Sequence, residues 1–291
     1  MSTPLHDTPQ PETAAPQEPK PSRRGLLIGT AAALVLGGGA LAAYELLGSS
    51  DDGDSDDGTT EFKAKFAGTG LVTNEYAFRS PNAKDAHDSP DWVVTSGSLF
   101  TRNGDGWTGV PDGQSPGASS SQHNGSAVFR LVTKRRDFGD CTVQTQVRLQ
   151  PPTTTSRTPK QDWDGAHIWL RYHSPDQLYA LSFRRRDGVV VIKRKTPDPQ
   201  GIGAAGEQGD YVTVAEGKAA FPYNEWHTVS ASAVNHKEGV RLILSIDGHT
   251  VLDTIDKDPL RITGAGGVGL RVDNTDLDFR GFTAVPAAAA L

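Results

Sequence analysis

From residue 62 onward the chain contains no apolar repeat of helical period and ordinary helix length. It breaks instead into short runs rich in Val, Ile, Leu and aromatic residues: "GSLFTR", "SAVFRLVT", "CTVQTQVRL", "AHIWLRYH", "LYALSFRR", "VVVIKRK", "WHTVSASAV", "VRLILSI", "TVLDTI", "GGVGLRV" and "LDFRGFTAV". Turn residues separate them. Two Asp-Gly pairs, Asp187-Gly188 and Asp247-Gly248, lie between apolar runs. Such pairs favour the left-handed backbone that two-residue hairpins need. Many short strands in one unbroken stretch predict a single all-β domain over 62–287, built as a two-sheet sandwich. The segments 151–163 and 197–210 read as rim loops.

The front of the chain has another composition. Residues 1–24 are rich in Pro, Thr and Gln and lack apolar periodicity, which predicts a disordered tail. Residues 25–47 form an apolar segment without charge from Gly25 to Tyr44, long enough to span a bilayer as a helix. Lys20, Arg23 and Arg24 precede it and an acidic run follows, so the N-terminus is expected inside and the body outside. "SRRGLL" has the form of a twin-arginine export signal, and "ALA" at 40–42 offers a cleavage site. An uncleaved signal anchor fits equally, and would make the membrane a partner. The single cysteine, Cys141, lies far beyond this segment. That excludes a lipid-modified anchor and any intrachain disulfide. Residues 48–61, with "DDGDSDDG", read as a flexible acidic linker; the spacing lacks the Glu that closes an EF-hand loop. The net charge of -6 gives no reason to expect nucleic acid. The body is expected to be an exported, extracytoplasmic monomer.

Register puts candidate site residues on one face. With Asp187-Gly188 as central turn residues and 174–177 closing the preceding hairpin, His167 faces Arg184, Trp169 faces Ser182 and Arg171 faces Ala180. Ser182 then faces Lys193, and Ala180 faces Lys195. One face would carry His167, Trp169, Arg171, Ser182, Arg184, Lys193 and Lys195. The other would carry Ile168, Leu170, Tyr172, Tyr179, Leu181, Phe183, Val190 and Ile192, a core set. An aromatic among cations suits a sugar ring, whose C–H face stacks on the indole while its hydroxyls and carboxylates meet the polar groups. The expected partner is therefore a polysaccharide, with an anionic one favoured. A solvated outer face is the plain alternative.

The runs "DFGDCTVQTQVRL", "GAHIWLRYHSPDQLYALSF", "EWHTVSASAVNHKEGVRLILSIDGHTVLDTID" and "AGGVGLRVDNTDLDFRGFTAV" together resemble concanavalin A-like lectin/glucanase jelly rolls. The laminin-G-like and 3-keto-disaccharide-hydrolase-like variants of exported bacterial proteins are the nearest in rhythm. The resemblance implies a jelly-roll sandwich. It leaves open a glycan-binding module, a polysaccharide-degrading lyase or hydrolase, and a structural or adhesive cell-surface domain.

The E-x-D-x-x-E strand of laminarinase-type hydrolases is absent from the sequence. Asp162 and Asp164, flanking Trp163, are the acid candidates for hydrolysis. A lyase would need a base and cations against a uronate, and His167 with Arg171, Arg184 and Lys193 has those residue types. The resemblance further implies a structural Ca²⁺ where the terminal strands meet. Asp273, Asp276 and Asp278 are its candidate oxygen ligands, and no other cofactor is called for. A turn in which these Asp and Asn residues cap backbone groups is the competing reading.

Overall fold

The computed structural model describes residues 60–113, 126–197 and 210–287. The expected tail, apolar segment and nearly all of the linker lie outside the described residues. Thr60, the first described residue, accepts through its carbonyl and hydroxyl from Arg135 at 3.0 and 2.7 Å. Among the described residues no helix is long and apolar enough to cross a membrane.

The strands run β1 Phe62–Lys63, β2 Gly70–Asn74, β3 Trp92–Ser96, β4 Ser98–Arg102, β5 Asp105–Trp107, β6 Val128–Thr133, β7 Cys141–Leu149 and β8 Gly165–Ser174. They continue as β9 Gln177–Arg185, β10 Val189–Thr196, β11 Asp210–Lys218, β12 His227–His236, β13 Gly239–Ile246, β14 His249–Asp256, β15 Gly267–Asp273 and β16 Leu277–Pro286. A short helix, α1 Glu75–Arg79, follows β2 and is capped by Asn74, whose side chain accepts from the Ala77 N–H. Two sheets result. One holds nine strands in the order β14-β13-β12-β7-β16-β5-β4-β2, with β1 on β16; the other holds seven in the order β11-β10-β9-β8-β15-β6-β3. Pairing is antiparallel throughout. The body is thus the two-sheet jelly-roll sandwich that the strand pattern predicts.

Alternation explains the layers. In β7, Cys141, Val143, Val147 and Leu149 point into the core, while Gln144 and Gln146 point to solvent. β12 repeats this with Val229, Ala231 and Ala233 inward. Ile168, Leu170, Tyr179, Leu181, Phe183, Val190 and Ile192 face the same core from the seven-stranded sheet. Each fully buried Val, Leu, Ile or Phe contributes about 1.5–3 kcal/mol by leaving water. Phe62, Trp92 and Phe282 close one region edge to face, with ring centroids 5.3–6.3 Å apart.

Asp247-Gly248 forms the expected two-residue turn: both residues have positive φ (50° and 78°), and Ile246 pairs with His249. Asp187-Gly188 departs from expectation. Only Gly188 has a positive φ (76°), and its N–H bonds to the Arg185 carbonyl at 3.1 Å. The central turn residues are therefore Arg186 and Asp187. β10 slides by two residues against the expected register, so Lys193 faces Ala180 and Lys195 faces Leu178. A slip of two preserves the face on which each side chain lies.

β8 corrects the expected platform more deeply. Trp169 pairs with Ala180 and His167 with Ser182, while Ser174 pairs with Gln177 beyond an irregularity. Arg171 sits inside that irregularity with φ 47°. The left-handed residue breaks the alternation, so Arg171 and Tyr172 exchange faces. Arg171 points between the sheets, fully buried. It donates to Asn235 Oδ1 (2.8 Å), to the Ile262 carbonyl (2.6 Å) and to Asp140 Oδ1 (2.8 Å). A second clamp joins the sheets nearby: Arg194 donates to Asp256 at 2.7 and 2.8 Å, and the Tyr179 hydroxyl donates to the same carboxylate at 2.8 Å.

Candidate functional site

The outer face of the seven-stranded sheet can be read row by row from the pairings. One row runs Arg130, Arg271, His167, Ser182, Val191 and Glu216 across β6, β15, β8, β9, β10 and β11. The next runs Val132, Gly269, Trp169, Ala180, Lys193 and Thr213. Beyond it lie Leu178, Lys195 and Tyr211. Gly269 has to be small: a Cβ there would fall 2.0 Å from the Leu131 carbonyl oxygen.

The first row contains a continuous polar network. Asp273 Oδ2 lies 3.1 Å from His167 Nε2, and His167 Nδ1 lies 2.6 Å from Ser182 Oγ. Arg271 donates from Nε and Nη2 to the Asp273 carboxylate at 2.9–3.2 Å. Asp273 is fully buried. Burial alone would raise its carboxyl, but Arg271 and the His167 hydrogen bond overcome that and hold it well below the usual carboxylate range. Burial holds the His167 imidazole below its ordinary value, with Arg271 and Arg185 adding to the effect and Asp273 opposing it. Burial thus favours the neutral imidazole. Burial, with Arg185 and Arg271 nearby, also lowers the Lys193 ammonium.

Arg271 Nη1 donates to the Tyr211 hydroxyl at 3.4 Å. Their strands, β15 and β11, are separated by three others. A flat sheet would hold strands four steps apart at about 19 Å, further than the two side chains reach given their offset along the strands. The sheet therefore curls, its outer face is concave, and Tyr211 lies over it. This explains Trp169. It was expected to stand open to solvent, but it is 2% exposed. It stacks on Tyr172 at 5.2 Å and packs with Val132, Leu178 and Ala180, with Tyr211 and Val93 against the cluster. The curl turns a solvated platform into a second, small apolar layer.

Of the expected ligand residues, the face gathers His167, Trp169, Ser182, Lys193 and Lys195; Arg171 and Arg184 are not among them, because the irregularity at Ala166/His167 pairs Arg184 with the core residue Ala166 and brings Arg185, opposite Gly165, to the outer face. Lys195 is buried and donates to the Pro175 carbonyl (3.0 Å) and to Asp176 (2.9 Å), which ties it to the β8–β9 turn. Arg184 lies over the Tyr223 ring at 4.4 Å. Asp164, expected as an acid, is buried. It accepts from Ser126 (3.0 Å), Asn274 (3.0 Å), the Gln161 N–H (3.0 Å) and Arg186 (2.9 Å), so its oxygens are taken up in holding the loop. Trp163 beside it is 38% exposed at the entry to β8.

The calcium candidates are dispersed. Asp273 belongs to the network above, Asp278 pairs with Arg148 and Arg102 on the other sheet, and Asp276 accepts from Trp107 at 3.2 Å. Among the described residues no three His, Cys, Asp or Glu side chains gather as a metal site. Arg271 and Tyr211 escaped the sequence reading as site residues. "GLRVD" does place Arg271 and Asp273 two apart on one strand face, the one local signal available, but their neighbours come from distant strands.

No protein-family model matches the sequence, and no curated protein does. Solved structures do. Carbohydrate binding module CBM66 from Bacillus subtilis is 15% identical, covering 66% of this chain and 94% of that one, with a TM-score of 0.45. An endo-1,3-beta-glucanase from Streptomyces sioyaensis is 13% identical, covering 81% and 99%, with a TM-score of 0.42. A Bacillus subtilis protein of unknown function with a galectin-like fold is 12% identical, covering 78% and 98%, with a TM-score of 0.43. The body is a two-sheet antiparallel jelly-roll sandwich. The two stacked antiparallel sheets and their strand order carry that statement; no site residue transfers at such identities.

Proposed function

We propose that the protein binds carbohydrate on the concave outer face of its seven-stranded sheet, and that its ligand is an anionic polysaccharide. The observation that carries the reading is the sign of that face. Arg130, Arg185, Lys193 and Arg271 stand half-buried on it, against the acids Asp273 and Glu216. The whole chain carries -6. Guanidinium groups pair bidentately with carboxylate or sulfate, and a curled, partly dry surface strengthens each such contact. Trp163 and Tyr211, rather than Trp169, are the aromatic surfaces available to a sugar ring. We further propose that residues 25–47 carry the body across a membrane, which would bring this face to extracellular polysaccharide.

The test is a glycan array probed with the full-length chain, followed by calorimetry on the best binders. Uronate or sulfated polymers should dominate, and Arg185→Ala and Lys193→Ala should each weaken binding, by less at high salt. Equal binding to neutral and charged polymers would contradict the anionic specificity, and no binding to any glycan would contradict the reading itself.

A further inference from the structure

We propose that Ser182, His167 and Asp273 form a hydrolytic relay, with Ser182 as the nucleophile toward a carboxylic ester carried on a bound carbohydrate. The choice of alcohol rests on the carbohydrate reading above; the relay itself does not.

Three adjacent strands bring the groups together. Ser182 on β9 and His167 on β8 are direct cross-strand partners, and Asp273 lies on β15, the strand on the other side of β8. Two contacts link them, Oγ to Nδ1 at 2.6 Å and Nε2 to Oδ2 at 3.1 Å. The proton positions follow from the partners. Arg271 grips the Asp273 carboxylate with two nitrogens, so the carboxylate stays ionised and can only accept. His167 Nε2 must then carry the ring's proton and donate it. Nδ1 is left with a lone pair, and its partner within reach is the Ser182 hydroxyl, which must donate to it. This is the ordered set of nucleophile, base and orienting acid that acyl transfer requires. The network lies on the outer face of the sheet beside the Arg271–Tyr211 bridge, with Ser182 and His167 3% and 8% exposed there.

The step closes in atoms and protons. Ser182 Oγ bonds to the ester carbonyl carbon while its proton passes to His167 Nδ1. The tetrahedral adduct expels the sugar alkoxide as the C–O bond breaks, and His167 returns the proton to that oxygen. Water then attacks the acyl-serine carbonyl and loses a proton to His167; the acyl C–Oγ bond breaks, His167 passes that proton to Ser182 Oγ, and the carboxylic acid leaves with the serine hydroxyl and neutral imidazole restored. Lys193 is diagonal to Ser182 on the neighbouring strand, within reach of a long side chain, and offers the charge that an oxyanion needs. Asp273 and Arg271 act through His167 as positioning residues.

The full-length chain should be exposed to a fluorophosphonate probe and to p-nitrophenyl acetate, and the adduct mapped by peptide mass spectrometry. The expected result is an adduct on Ser182 that disappears in Ser182→Ala. His167→Gln should reduce labelling at least tenfold while circular dichroism and the melting profile show a folded chain. Asp273→Asn, if folded, should lower the rate and change its pH profile, because the imidazole loses the acceptor that sets its tautomer. Absence of an adduct on Ser182 in the wild type would overturn the proposal, as would wild-type ester hydrolysis by Ser182→Ala. Labelling of Ser182 in a protein that binds no glycan would support the relay and overturn only the carbohydrate reading.

Discussion

Replacing Arg171 by alanine should unfold the sandwich more readily rather than empty a binding site. The side chain is fully buried and spends its guanidinium on three acceptors: Asn235, the Ile262 carbonyl and Asp140. Hydrogen bonds to a charged group contribute about 1.5–3 kcal/mol each in isolation, but they are not additive. Asp140 is a quarter exposed and recovers some hydration when its partner leaves. The Ile262 carbonyl is left behind in a buried setting. Truncating one partner of a buried ion pair typically costs about 3–5 kcal/mol, and that range is the expected loss. Relief of the left-handed backbone does not offset it, because alanine has the same penalty at φ 47°. Urea unfolding followed by tryptophan fluorescence measures the change. The midpoint should fall with little change in slope. Asp140→Asn combined with Arg171→Ala should show a coupling of roughly 0.5–3 kcal/mol. A stability within about 1 kcal/mol of wild type would refute the clamp, and an accompanying loss of glycan affinity would return Arg171 to the site.

Trp169→Ala should cost about 3–5 kcal/mol of folding free energy, since it empties the small apolar layer; Trp169→Phe should cost much less, because the indole Nε1 has no hydrogen-bond partner among the described residues. Equal losses in thermal melts of the two variants would contradict that account. Asp273 has a folded-state carboxyl depressed below its unfolded value near 3.9, so its stabilisation is present above that pH and fades as pH falls toward the depressed value. Acid titration of stability should therefore be flatter below about pH 4 in Asp273→Asn than in wild type; parallel curves would refute it. Changing Arg23 and Arg24 both to Lys keeps the charge, and export should fail if a twin-arginine translocon reads the pair. Unchanged export in a fractionation assay would leave the signal-anchor reading.

What the sequence determined by itself is what depends on near neighbours. Short apolar runs marked β7 and β12 as strands, and period-two alternation assigned the core faces of β9 and β10, because a strand's buried side is written into every second residue. The Asp247-Gly248 turn was legible because its two left-handed residues are a local preference. Asp187-Gly188 looked the same, yet its turn lies one residue earlier, a choice set by how β9 and β10 pair along their length. Only tertiary structure decided the site. Arg171 turned inward because Asp140, Asn235 and Ile262, from distant parts of the chain, supplied acceptors between the sheets. Asp273 met His167 because β15 inserts beside β8, a pairing across roughly a hundred residues that no local pattern encodes. Trp169 was buried because the whole sheet curls until Tyr211 reaches Arg271. Curvature accumulates from the twist of seven strands, so it belongs to the sheet and not to any one run of residues.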